Sequence, residues 1–312
     1  MSNADFPKRE HVYLSEHLDS SRWDSVKFRD DDVIVCTSLK SGTTWMLRIM
    51  SLLIHQDPKV DDKVMKMLWP DAAFMGPIEP LVETIEKTEH RRTFKTHLPL
   101  DGLPYNENVK YIQVTRDMRD AFFSLQNHLE IMSDDLLAIL DANGDKPFPR
   151  FKDLGDVHQR WRDWITKGTF EWEEDGYPMW SMFSYVESFW PYRHLPNILM
   201  VNFTDMLKDL DGEMRRVAKF LEIDVPEEKW PEFVEAATFN SMKKDLSTLE
   251  PGFNEIFKGG GDAFMDKVDG IWKDILTEED LALYKARMSK LDPDLREWIE
   301  KGSLEVGYPE DK

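Results

Sequence analysis

Three short stretches hold the side chains best suited to chemistry. The first is Ser38-Leu39-Lys40-Ser41-Gly42-Thr43-Thr44, directly after an apolar run at residues 33–37. A turn of this kind at a helix start presents backbone N–H groups and partial positive charge to an anion. Gly42 permits close backbone approach, Ser41, Thr43 and Thr44 add hydroxyl donors, and Lys40 adds a full charge. A capped helix start with a solvated lysine is the plainer reading; the buried strand running into the turn favours phosphate binding instead. The second stretch holds Lys95 and His97, which share one face of a strand, so an ammonium and an imidazole address the same reacting group. Imidazole is the side chain best poised to accept a proton near neutral pH. The third holds Arg116 at a strand end, a guanidinium fork suited to phosphate. Asp117, Arg119 and Asp120 crowd that site, so a surface Arg116–Asp pair is the alternative there.

Spacing excludes some chemistries. The Walker pattern sets its lysine after the second glycine, whereas Lys40 precedes Gly42 and the first glycine is missing. No magnesium-ligand pattern and no H-E-x-x-H spacing is present, so no metal is expected, and His128 and His194 read as structural. Cys36, the single cysteine, sits in an apolar strand and reads as an inert core thiol. A formal charge of −20 disfavours nucleic acid and anionic membranes as partners. A polyanionic ligand must therefore find a local cation cluster, which screening over about 10 Å allows. With no signal-like apolar run and no membrane-length segment, the chain is expected to be cytoplasmic.

Positioning these residues calls for strands alternating with helices. Runs at 33–37, 91–96, 111–115 and 198–203 read as strands, mostly buried on both faces. Helical patterns follow at 44–55, at 211–221 with Asp209 or Asp211 as N-cap, from Trp230 with Pro231 in its first turn, and at 277–288 capped by Thr277. The expected fold is a single α/β domain over residues 1–312, a central, mostly parallel sheet flanked by helices, with a P-loop-like phosphate loop after the first strand. Segments 67–90, 130–160 and 240–270 carry weak periodicity and read as loops over the strand ends. Most of the aromatics between Trp161 and Trp190 read as core, with Phe74, Met75 and Phe148 as lining of a binding pocket, and the Asp30–Asp32 run as capping or solvating a loop.

The run K-S-G-T-T-W at 40–45 resembles the 5′-phosphosulfate loop of sulfotransferases that use 3′-phosphoadenosine 5′-phosphosulfate (PAPS). Residues 91–105, 111–128 and 194–223 extend the resemblance in chain order, so that it spans about 30–302, closest to bacterial-type members. It implies sulfuryl transfer from PAPS to a hydroxyl or amine of a small-molecule acceptor, with adenosine 3′,5′-bisphosphate as product. It implies His97 as general base, Lys40 at the leaving oxygen, Lys95 at the sulfuryl oxygens, and Arg116 with Ser124 at the 3′-phosphate. Trp45 and Phe239 would sandwich the adenine, with Phe183 and Thr238 at its edge. The family's lysine–glycine turn near a tryptophan is altered: Lys258-Gly259 lies far from Trp272, while Lys267 is flanked by Asp266 and Val268. Either lysine is therefore expected to complete the 3′-phosphate site. The dimerisation motif of animal members is also altered, which leaves monomer and homodimer open. Two other readings stand: a P-loop small-molecule kinase, and a bisphosphate-binding homologue impaired in transfer.

Overall fold

The computed structural model describes residues 6–59, 68–144, 146–249, 252–260, 263 and 269–312. Its centre is a four-stranded parallel sheet of β1 (Val33–Thr37), β2 (Thr93–Thr96), β3 (Lys110–Thr115) and β4 (Ile198–Asn202), in the order β2-β1-β3-β4. All five β1 residues are buried. Their alternating side chains divide the interior in two. Ile34 and Cys36 pack with Phe94, Tyr111, Ile198 and Met200 on one face. Val33 and Val35 pack with Ile112, Val114, Leu199 and Val201 on the other. Cys36 is buried within this sheet, and burial pushes its thiol well above the usual range, as expected of an inert core thiol.

Helix α1 (Thr43–His55) follows β1 and is buried round much of its girth, including Trp45, Met46, Ile49, Leu52 and Leu53. After β3 comes α3 (Met118–Ile131), whose first turn is capped by the Asp117 carboxylate accepting from Arg119 N. Asn202 ends β4 and caps α7 (Phe203–Lys208) by accepting from Thr204 N, so Phe203, expected in the strand, begins a helix instead. Asp209 caps α8 (Leu210–Phe220), α9 (Trp230–Ala236) carries Pro231 in its first turn, and Thr277 and Asp280 form a capping box on the helix Glu278–Met288.

The three segments expected as loops contain helices: α2 (Glu79–Lys87), α4 (Asp134–Asn143), α5 (Val157–Thr166) and α10 (Phe239–Leu249). α2 buries only Ile85, and α4 only Leu136 and Leu140, so each has too few apolar positions for its period to stand out. Their capping carries the missed signal: Pro80 lies in the first turn of α2, and Ser133 accepts from Leu136 N. The aromatic stretch is core as expected, with Trp161, Trp164, Trp180, Phe183, Tyr185 and Phe189 of α5, α6 (Met182–Phe189) and their connection buried, although Trp172 is exposed. Among the described residues, no helix is long and apolar enough to cross a membrane.

Asp32 does more than cap a loop. It is wholly buried, accepts from Arg92 Nε at 2.7 Å and from Arg29 N at 2.8 Å, and so pins the entry of β1 to that of β2. Removing one partner of such a pair strands a buried charge, which costs about 3–5 kcal/mol. Asp32→Asn is therefore expected to lower the urea-unfolding free energy by about 3 kcal/mol or more, a loss read from the shift in the denaturation midpoint.

Candidate active site

Parallel pairing brings the carboxyl ends of β1, β2 and β3 to one edge of the sheet. In register, Cys36 lies opposite Thr96 and Thr37 opposite Val114, so the phosphate loop, His97 and Arg116 leave the sheet side by side. The strand order reverses direction at β1, and ligands of open α/β sheets settle in the crevice this creates.

The loop after β1 is tightly turned. Lys40 adopts φ 61° and Gly42 φ 100°. A non-glycine residue in the left-handed region costs about 1–3 kcal/mol and persists only where its surroundings hold it. Arg116 does so by donating from Nη1 to Lys40 O at 3.0 Å. A Cβ on Gly42 would meet Phe203 Cδ2 at 2.8 Å, so glycine is required for space as well as for φ. Inside the turn, Ser38 and Ser41 share a hydroxyl hydrogen bond of 2.6 Å, and Thr43 and Thr37 share one of 2.7 Å. Lys40 is partly buried and drawn down to about 7, mainly by its withdrawal from water and in addition by the charges of Arg116 and Lys95. Three cations thus crowd one corner of a chain whose net charge is −20, the local cluster that a polyanion needs.

His97 follows β2, and its ring is nearly closed off from solvent. Nδ1 lies 2.9 Å from Thr37 O and 3.1 Å from Thr37 Oγ1. A carbonyl only accepts, so Nδ1 carries the proton and Nε2 keeps its lone pair. Burial, and then the charge of Lys95, hold the imidazolium well below its usual range, which keeps the ring neutral. Trp180 Nε1 donates to His97 O at 3.0 Å and fixes the backbone there. Lys95 Nζ stands 3.8 Å from the Trp69 ring centroid, and His97 meets the same ring edge-on at 5.2 Å. The expected shared face of residues 95 and 97 therefore converges on one indole. Trp69 is held in turn by Asp71, buried, which accepts from Trp69 Nε1 at 3.1 Å and from Trp23 Nε1 at 2.8 Å.

Trp45 donates from Nε1 to Ala237 O at 2.7 Å, which brings it to the turn holding Thr238 and, at the start of α10, Phe239. Phe183 is not brought there. It is fully buried against Trp164 and Tyr284, in the core on the opposite face of the sheet from Trp45. Of the lining candidates, Phe74 packs edge-on to Trp69 at 5.4 Å, Phe148 is buried against His17 at 4.9 Å, and Met75 points to solvent.

Arg116 is nearly buried beneath Phe203, and Ser124 is partly buried on α3. Gly270 N donates to Asp120 at 2.7 Å and Asn127 Nδ2 donates to Ala263 O at 2.9 Å, so two chain positions dock on either side of Ser124 along one helix. Lys258 lies elsewhere. Its N–H bonds Ile131 O at 2.7 Å, the far end of α3, and its ammonium pairs with Asp134 at 3.1 Å. With 14 residues in that helix, Lys258 stands roughly 20 Å from the end that Arg116 precedes, which removes it from the Arg116 site. Lys267 lies outside the described residues.

Residues 30–292 match the family described as the sulfotransferase domain. The chain belongs to this family. A glycolipid sulfotransferase of Mycobacterium bovis is 31% identical to it, the match covering 96% of this chain and 97% of that protein. Sulfotransferase 1B1 of Canis lupus familiaris is 26% identical, over 89% and 92% of the two chains. In fold, this sulfotransferase is similar to mouse sulfotransferase SULT7A1, solved in complex with PAP, with a TM-score of 0.64 at 18% identity over 91% of this chain and 93% of that one.

Several residues gathered round His97 carry no signal of that placement in the sequence. Thr37 reads as the last residue of a strand, and Trp69, Asp71 and Trp180 read as core or loop; only the fold sets them round His97. Lys40, by contrast, makes a measurable claim. An anion seated beside it restores the ammonium, so binding takes up a proton above about pH 7, and affinity falls as pH rises through that value. Calorimetric titration with adenosine 3′,5′-bisphosphate at pH 8, in buffers of different ionisation enthalpy, is expected to show uptake approaching about one proton. Lys40→Met is expected to abolish that uptake.

Proposed function

We propose that this sulfotransferase moves the sulfuryl group of PAPS to a hydroxyl of a small-molecule acceptor, with His97 as general base. The observation that carries this reading is the hydrogen bond from His97 Nδ1 to Thr37 O, 2.9 Å long, which leaves the lone pair of Nε2 to accept a proton. The acceptor oxygen attacks sulfur in line as its proton passes to Nε2. The bond from sulfur to the 5′-phosphate oxygen breaks, and adenosine 3′,5′-bisphosphate leaves. Lys40 offsets the charge that builds on the leaving oxygen, and Lys95 that on the sulfuryl oxygens. Arg116 and Ser124 hold the 3′-phosphate, with Lys267 as a further candidate, and Trp45, Thr238 and Phe239 hold the adenine. The buried Nε of Arg116, which has no hydrogen-bond partner among the described residues, supports an anion there.

Trp69, Phe74 and Trp180 give the neighbourhood of His97 an apolar wall, which supports an acceptor hydroxyl carried on an apolar body. A glycolipid, the acceptor named for the mycobacterial relative, has that character. The mechanism needs no metal, and the expected setting is the cytoplasm.

Two measurements test the proposal. Titration with adenosine 3′,5′-bisphosphate and with ATP, followed by tryptophan fluorescence, is expected to show clear preference for the bisphosphate; preference for ATP would overturn it in favour of a kinase. His97→Ala is expected to leave bisphosphate affinity nearly unchanged and to lower kcat about 10²–10⁴-fold in an assay of acceptors with PAPS. Unchanged turnover would remove His97 from the base role.

A further inference from the structure

Arg116 is already in contact with an anion. Its Nη2 is ion-paired to Asp269 Oδ1, and its side chain is 8% exposed against 38% for the aspartate. Nη1 is committed to Lys40 O, and Nε is buried with no hydrogen-bond partner among the described residues. One edge of the guanidinium, Nε with Nη2, is thus a two-donor fork of which the carboxylate fills one tine. A phosphate, with three equivalent oxygens and a second negative charge, satisfies both tines where this carboxylate satisfies one.

The other acids nearby are engaged elsewhere. Asp117 accepts from Arg119 N and Arg119 Nε, each at 2.9 Å, and Asp120 accepts from Gly270 N at 2.7 Å. Among the described residues, Asp269 alone is ion-paired to Arg116. The chain around it is fastened independently, by Gly270 to Asp120 and by Trp272, whose ring lies 4.0 Å from the Arg119 guanidinium. The carboxylate can therefore leave Arg116 by rotating its own side chain, while the backbone stays docked on α3. Its partial exposure means that it returns to water at little cost, whereas the buried Arg116 requires an anion in its place.

We propose that Asp269 is an internal anion holding the seat of the 3′-phosphate, so that it sets the site's affinity for 3′-phosphorylated nucleotides. This rests on the reading of Arg116 as the 3′-phosphate ligand. A nucleotide with a 3′-phosphate displaces the carboxylate, and the two negative charges repel each other while both remain near. A nucleotide without one leaves the pair intact.

The test is calorimetric titration of the full chain, wild type, Asp269→Asn and Asp269→Ala, with adenosine 3′,5′-bisphosphate and with adenosine 5′-monophosphate. Both variants are expected to bind the bisphosphate about 5-fold or more tightly than the wild type, with the monophosphate unchanged. Equal gains for both nucleotides would overturn the proposal in favour of a general field effect. Unchanged or weaker bisphosphate binding would overturn it in favour of Asp269 as a support for its segment. If folded wild type and variants all fail to bind the bisphosphate, the nucleotide reading itself falls, an outcome distinct from binding that Asp269 does not affect.

Discussion

The site depends on a single alignment, that of the carboxyl end of β1 with the end of β2. Parallel pairing sets Cys36 opposite Thr96, and the next residues, Thr37 and His97, then meet through the Thr37 carbonyl and the imidazole Nδ1. The same threonine reaches the phosphate loop through its hydroxyl, 2.7 Å from that of Thr43. One residue thereby selects the tautomer of His97 and ties that ring to the turn after β1. A register slip of one position would turn every side chain of β1 to the other face, and both cores would fail with the site. The stability of the sheet and the placement of the His97 ring are therefore the same constraint, reinforced at the opposite end by the buried Asp32–Arg92 pair.

Electrostatics sets the second level of organisation. A chain with 60 acidic and 40 basic residues concentrates Lys40, Lys95 and Arg116 where three strands end. Lys40 is drawn down to about 7, first by its withdrawal from water and then by the neighbouring charges of Arg116 and Lys95. Arg116 supports the strained Lys40 backbone through Nη1, with Asp269 against its other edge.

Much of this was legible from residue types alone. The four strands, the helix after the phosphate loop and the caps at Asp209 and Thr277 lie where apolar runs and capping residues set them, because those signals are local. The short helices α2 and α4 were not legible, since each buries only one or two side chains and offers no stripe to read. Phe183 and Lys258 mark the boundary from the other side. Both have the residue type that a nucleotide site uses, yet Phe183 is sealed in the core across the sheet, and Lys258 is anchored at the far end of α3.

The amino-acid sequence by itself determined the α/β alternation, the glycine-containing turn between β1 and α1, and the presence of a lysine and a histidine two residues apart at the end of a strand. These follow from backbone propensity, apolar period and side-chain chemistry, which act within a few residues. Tertiary structure alone decided which nitrogen of His97 bears the proton, that Trp69 gathers Lys95 and His97 against one ring, and that Asp269 lies on Arg116 across 153 residues of chain. Each of those contacts joins segments whose separation in sequence carries no pattern, and only the packing of strands and helices brings them within hydrogen-bonding reach.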